Sequence, residues 1–269
     1  MPKKKVLVFI DWYLPGTRSG GPVRSIANLV AHLEEEFQFL IVTRDTDYCE
    51  TETYKNVQSN KWNKLSEQVS VFYISKENIN KKFLKNLIAS TDFDTAYING
   101  IYSRFFSILP VWLLRNSCKP VLVAARGMLN SQAFSVKPIR KKIFLSLVNF
   151  LSFYKNVEFH ATNKDEAVAI RKVIRKYRNI KVAPNLPRKI KASGFRIRTK
   201  KEPFSFISVA RVAQEKGTLT ALVALSKLKE EQVIVYDIYG PVYDLGYWKE
   251  CEAVIAKLPD HITVNYQGS

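Results

Sequence analysis

Histidine and cysteine are scarce in this sequence, three of each, and their placement removes several chemistries at once. His32, His160 and His261 are scattered, and none falls into an HExxH pair or a Ser/His/Asp arrangement, so catalysis by a histidine base has no support. Cys49, Cys118 and Cys251 show no CxxC or metal-ligand spacing, which fits reduced, incidental thiols in a reducing compartment. Long apolar runs are also missing. Phe105–Leu114 and Ile143–Tyr154 fall well short of the roughly 20 residues that a spanning helix requires. The basic start Met1-Pro-Lys-Lys-Lys5 leads into an apolar run, Val6–Ile10, that ends at Asp11 and is too short for a secretory core. The expected setting is cytoplasmic, with peripheral attachment at the inner face of the plasma membrane as its extension. No low-complexity tract or internal repeat is obvious.

Acidic residues are in deficit. Forty-two Lys and Arg face 24 Asp and Glu, a net charge of +18, and a field of that size attracts polyanions and anionic membranes. Of these, 31 cations and 15 acids lie in residues 1–190, a net +16 against +2 for the remainder. Specific nucleic-acid binding would account for the excess, but there is no RNP1-like segment, Cys/His finger or helix-turn-helix to carry it. An acidic surface or a phosphorylated acceptor accounts for it as well.

What is present is a packed globular composition, 46% hydrophobic and 12% aromatic, in a chain of 269 residues, enough for two modest cores. Short apolar runs alternate with stretches of helical spacing. Strands are expected at Lys4–Asp11, Phe37–Thr43, Val69–Ile74, Thr95–Asn99, Pro120–Ala125, Val157–Ala161 and Ile180–Ala183. Helices are expected at Val23–Glu36, Asn80–Ala89, Arg104–Asn116, Ile139–Tyr154 and Asp165–Tyr177. Such alternation implies a parallel sheet covered on both faces, and ligands bind such sheets in loops at the carboxyl ends of the strands. The loops after Asp11, Asn99 and Ala125 are therefore the places to look. Pro184-Asn-Leu-Pro187 breaks the pattern. The reading is a first Rossmann-like domain over 1–187, a linker over 188–203, and a partial second domain over 204–269. The second holds strands Phe204–Val209, Val233–Tyr239 and Ile262–Tyr266 with helices Gly217–Glu230 and Tyr243–Leu258. A half-sheet of this kind would leave an edge and an apolar face uncovered.

Four constellations carry chemistry. In Ser208-Val-Ala-Arg-Val-Ala-Gln-Glu-Lys-Gly-Thr218 a buried-strand run empties into a turn with Arg211 and Lys216 just before a helix. Unsatisfied N–H groups at a helix start carry partial positive charge, so a phosphate there would meet the dipole, a guanidinium and an ammonium together. The plainer reading is a pair of solvated loop cations. Gly20 and Gly21, flanked by Arg18 and Arg24, permit a close backbone approach between the first strand and helix, or simply form a turn. The loop lacks both G-x-G-x-x-G spacing and a G-K-[ST] ending, which weakens NAD and ATP readings. Arg126, followed by Gly127, sits at a strand's carboxyl end, either to bind or to cap the next helix. Ile139–Tyr154 is apolar with Lys137, Arg140, Lys141, Lys142 and Lys155 at its ends; it either lies on an anionic membrane or packs on its own sheet. Gly240 kinks the chain at another strand end. Asp45-Thr-Asp47 and Asp92-Phe-Asp94 match a D-x-D metal signature superficially, with nothing nearby to complete a hard-oxygen site.

Taken in order, the Gly20-Gly21 loop, Ala125-Arg-Gly-Met-Leu129, His160-Ala-Thr-Asn-Lys-Asp-Glu166, Pro184-Asn185 and Ser208-Val-Ala-Arg…Glu-Lys-Gly217 resemble the family 4 retaining glycosyltransferases of GT-B fold. The resemblance spans nearly the whole chain; Arg-x4-Lys-Gly is its most specific piece. It implies an α/β GT-B-like fold and transfer of a sugar from a nucleotide diphosphate sugar to a hydroxyl acceptor. It implies no cofactor and no catalytic metal. Arg211 and Lys216, with Gly20 and Gly21 nearby, would bind the donor diphosphate, and Arg126 falls where many relatives carry a histidine near the sugar. Glu166, Asn185 and Gly240 would be cleft or hinge residues. The acceptor would be a glycan or lipid-linked, in cell-surface polysaccharide or lipopolysaccharide assembly. Relatives continue past the Tyr-x-Gly at 266–268 into a Glu-x7-Glu segment that holds donor sugar and ribose. The expectation is therefore a truncated donor domain with little or no turnover. A catalytically inactive basic module that binds anionic membrane, glycan or nucleic acid is the alternative, and another GT-B-like enzyme such as an epimerase is a third.

Overall fold

The structure is a computed structural model, and it describes residues 2–130, 138–189, 202–228 and 233–268. The chain divides into two compact units, Met1–Lys191 and Ala192–Ser269. Most of the 188–203 segment read as a linker, and the Lys137 end of the basic cluster, lie outside the described residues.

Among the described residues eight strands build the first unit: β1 (Lys4–Phe9), β2 (Phe37–Arg44), β3 (Trp62–Lys64), β4 (Val69–Ile74), β5 (Thr95–Asn99), β6 (Val121–Ala124), β7 (Glu158–Ala161) and β8 (Asn179–Val182). They lie in the order β3-β4-β2-β1-β5-β6-β7-β8, all parallel except the antiparallel edge strand β3. Parallel neighbours need crossovers, which the helices supply: α1 (Gly21–Leu33), α2 (Lys81–Ser90), α3 (Leu109–Leu114), α4 (Pro138–Phe150) and α5 (Lys164–Val173). Alternating strand side chains divide between two cores. Val8, Ile10 and Ile41 meet Ile26 and Val30 of α1 on one face, while Leu7, Phe9 and Ile98 lie in the core that takes in α2, α3, α4 and α5 on the other. From β1 the winding runs outward through β2 and β4, then returns to β5 and runs the other way. The reversal between β1 and β5 is the switch point at which a doubly wound sheet opens a crevice.

Helix ends differ from the sequence reading where tertiary contacts intervene. The helix expected over Asp165–Tyr177 stops at Val173 because Asn149 of α4 caps it: Nδ2 donates to the Val173 carbonyl at 2.8 Å and Oδ1 accepts from the Arg175 N–H at 2.9 Å. Arg104–Asn116 is a π-turn over Arg104–Ile108 that runs into α3, and the widened turn places Leu109-Pro110 at the start of α3, where Pro110 loses no helical bond. Strand β3 adds an edge that three residues without alternation could not announce.

In the second unit β9 (Phe204–Val209), β10 (Ile234–Tyr239) and β11 (Ile262–Gly268) form a parallel sheet in the order β11-β10-β9. Ile234, Tyr236 and Ile238 pack with Leu222 and Leu225 of α6 (Thr218–Leu225) and Tyr247 and Cys251 of α7 (Leu245–Ile255). Strand β9 is an edge, and its Ile207 and Val209 are exposed on the face away from those helices.

Candidate functional site

The carboxyl ends of β5, β6 and β7 bring together groups far apart in sequence. Arg126, just past β6, has a left-handed backbone at φ 53°, which is costly for a side-chain-bearing residue, and Gly127 follows at φ 71°. That turn aims the guanidinium across the strand ends. Nε donates to Asn99 Oδ1 at 2.7 Å, Nη1 to Asn185 Oδ1 at 2.6 Å and Nη2 to the Tyr97 hydroxyl at 3.0 Å. Asn185 Oδ1 also accepts from Ser25 of α1 at 2.7 Å, and the chain beyond it is tied to the same helix by Asn28, which donates to the Leu186 carbonyl at 3.0 Å. The Pro184–Pro187 segment thus straps the strand ends from β8 back to α1.

Tyr97 extends the network to His160, whose Nδ1 lies 2.6 Å from the phenolic oxygen and whose Nε2 lies 2.8 Å from the Ala183 carbonyl. A carbonyl only accepts, so Nε2 carries the proton. Arg126 only donates to Tyr97, so the tyrosine hydroxyl is free to donate to Nδ1. Burial lowers the His160 pKa below 6.5 and the Arg126 charge adds to that, against the hydrogen bond to Ala183.

Glu166 is buried near the start of α5, and its carboxylate accepts from the Gly127 N–H, the Thr162 N–H and the Thr162 hydroxyl, each at 2.6 Å. Asn163 caps the same helix by accepting from the Glu166 N–H at 2.8 Å. Burial alone would raise the carboxyl pKa, but these bonds and the Arg126 charge outweigh it and hold the pKa below 4.5. Glu166 therefore fixes the Arg126-Gly127 turn from beneath.

At the switch point, Asp11 accepts from the Ser103 hydroxyl at 2.8 Å and lies 3.5 Å from Arg44, with burial pushing its carboxyl pKa up. The loop from β1 to α1 is held by Asp47, whose Oδ2 accepts the Thr17 N–H at 3.0 Å and the Arg18 N–H at 3.3 Å. Asp47 is a backbone clamp, and Arg18 pairs with Glu50. Gly20 caps α1 at φ 72° with no side-chain bond, and a Cβ added at Gly20 or Gly21 would meet nothing within 4 Å.

In the second unit the turn after β9 likewise reaches its helix through a glycine at positive φ. A 3-10 turn, Gln214–Lys216, ends at Gly217 with φ 71°, and α6 begins there without a side-chain cap. By contrast Asn80, Asn163 and Asp244 each cap their helices by a side-chain acceptor. Arg211 is half exposed, pairs with Glu215 at 2.8 Å and lies over the Tyr243 ring at 5.2 Å; Lys216 is exposed. Gly240, at φ 135°, packs so close to the Arg211 turn that a Cβ would fall 2.1 Å from the Ala210 carbonyl oxygen.

Of the residues picked out in sequence, Arg126 and Asn185 meet directly and Glu166 supports them. Gly20 and Gly21 share the first unit with them; Arg211 and Lys216 share one turn of the second, and Gly240 packs against it. Tyr97, Asn99, His160 and Ser25 were missed. Asn99 and His160 had a signal, since each is a polar residue at the carboxyl end of an otherwise apolar strand.

No family model and no curated protein sequence matches the chain. Solved structures share its fold. One is described as trehalose-6-phosphate from E. coli bound with UDP-2-fluoro glucose; it is 13% identical, with 98% of this chain and 74% of that chain aligned at a TM-score of 0.59. Another, from Listeria monocytogenes, is designated a UDP-N-acetylglucosamine 2-epimerase; it is 13% identical, with 98% of this chain and 69% of that chain aligned at 0.51. Both are GT-B proteins, and the GT-B fold is the fold of this chain.

Proposed function

We propose that this GT-B chain is a retaining glycosyltransferase that handles a nucleotide diphosphate sugar and transfers the sugar to a hydroxyl of a glycan or lipid-linked acceptor. The setting we assign is cell-surface polysaccharide or lipopolysaccharide assembly, following the resemblance of its ordered motifs to family 4 enzymes.

One observation carries the reading. In each unit the first strand ends in a turn to a glycine at positive φ, from which a helix starts without a side-chain cap, whereas α2, α5 and α7 are capped by their own side chains. An uncapped helix start favours an anionic group. In the second unit, Arg211 and Lys216 accompany it. Their present engagement is no obstacle. An exposed ion pair such as Arg211–Glu215 is worth about 0–1 kcal/mol, so a diphosphate can displace the carboxylate at little cost.

In the reaction the bond from the sugar's anomeric carbon to the diphosphate oxygen breaks as the acceptor oxygen bonds to that carbon, and the acceptor's hydroxyl proton passes to the departing diphosphate. Negative charge grows on the departing diphosphate, and Arg211 and Lys216 stabilise it more in the transition state than in the ground state. Arg126, held by three acceptors, offers a fixed positive charge and needs no reorganisation. The test is thermal unfolding of the full chain with UDP, GDP and their sugars. A binding nucleotide at about 100 times its dissociation constant should stabilise by about 2.7 kcal/mol. The stabilisation should vanish in Arg211→Ala/Lys216→Ala; protection that persists in that variant would reject the assignment.

A further inference from the structure

Helix α4 has two apolar faces, and the fold uses one. Leu145 and Val148 are buried in the first unit's core, and Phe144 packs edge-on against Tyr102 with ring centroids 5.4 Å apart. Round the helix from them, Ile139, Ile143, Leu147 and Phe150 recur at the spacing that stacks side chains along one side, and Leu151 prolongs the line. They are exposed by 72%, 63%, 54%, 84% and 59% respectively. A lone exposed apolar residue is ordinary, but five in one stripe mark an interaction surface.

The charges beside the stripe identify what it meets. Arg140, Lys141 and Lys142 lie near the helix start, where the dipole favours Asp or Glu, and the helix has no acidic residue at all. Arg140 and Lys142 are exposed, as is Lys155 beyond the far end, while Lys141 lies over the Tyr102 ring at 5.6 Å. Packing on the sheet requires none of these exposed cations. A second copy of the chain would bring the same cations together with no carboxylate of α4 between them. Thirteen residues cannot cross a bilayer, and no described helix is long and apolar enough to do so.

We infer that α4 is an interfacial helix that seats the first unit on a bilayer of anionic lipid. The Ile139–Leu151 stripe enters the acyl boundary, and Arg140, Lys142 and Lys155 lie over lipid phosphates, their stems following the apolar surface. This does not depend on the nucleotide reading, because the residues are distinct and the ligand is different.

The experiment is co-sedimentation of the full chain with phosphatidylcholine vesicles, alone or mixed with phosphatidylglycerol. Each cation near the surface adds roughly fivefold to partitioning, so the anionic vesicles should be preferred by at least roughly tenfold, less at high salt. Ile143→Ser/Leu147→Ser should lower binding by roughly tenfold or more without lowering the unfolding midpoint, since both positions are exposed. Arg140→Gln/Lys142→Gln should remove most of the preference for anionic lipid. Soluble glycerol phosphate should not compete. Equal binding to both vesicle types, binding unaffected by Ile143→Ser/Leu147→Ser, or competition by glycerol phosphate would overturn the proposal. So would a lipid-free dimer that the serine variant dissolves, if the chain then ignored vesicles.

Discussion

In the first unit Arg126 donates to three oxygens and Glu166 accepts three hydrogen bonds, within a sheet covered by helices on both faces. In the second, Arg211 and Lys216 stand in solvent on a turn beside a three-stranded sheet whose edge strand exposes Ile207 and Val209. The difference concerns what each arrangement can do for charge. A part-buried network of several hydrogen bonds holds its geometry and is costly to break, whereas exposed cations with weak partners contribute little to the fold and are free to follow a ligand. The first unit should therefore report mutations chiefly in stability, the second chiefly in binding.

The largest effect should follow Glu166→Ala, which leaves the Gly127 and Thr162 donors unpaired in a buried site. We expect a loss of about 3–5 kcal/mol in chemical denaturation of the first unit. Next, Gly240→Ala should cost the second unit roughly 3 kcal/mol, because its backbone conformation excludes side chains and the new methyl meets the Ala210 carbonyl. Loss of the same size in the first unit's transition would show that the two units do not unfold separately. Arg126→Lys keeps the charge but cannot reach three acceptors; about 2 kcal/mol should be lost, seen as a lower midpoint for the first unit.

A smaller effect comes with pH. His160 has its pKa lowered in the fold, so the unfolded chain binds the extra proton first, and stability should decline as pH falls from about 6.5 towards the folded pKa. His160→Gln should flatten that decline. Glu166 acts in a separate window, below about 4.5, where protonation removes its stabilisation as pH falls through the folded value. Smallest of all on the fold, Arg211→Ala should change stability by at most about 1 kcal/mol, as an exposed ion pair permits.

Much of this arrangement was legible in the sequence. Alternating short apolar runs and helical spacing identified the parallel strands and which loops lie at their carboxyl ends, and so placed Arg126 and Arg211 in such loops. The extension of the Arg126 network through Tyr97 to His160 was not legible, because Tyr97 and His160 are 63 residues apart and meet only through strand order. Nor could the pattern of α4 separate its packed side from its exposed one, since it is apolar on both. The end of α5 depended on Asn149 from another helix, information that no local window contains.

The central claim is that the second unit's turn grips a diphosphate. Equilibrium binding of UDP, UMP and uridine, by titration calorimetry on the full chain and on Arg211→Ala/Lys216→Ala, tests it most directly. UDP should bind at least roughly tenfold tighter than UMP, about 1.4 kcal/mol or more, and the variant should abolish this difference. Equal affinity for UDP and UMP, or a phosphate dependence that survives in the variant, would contradict it.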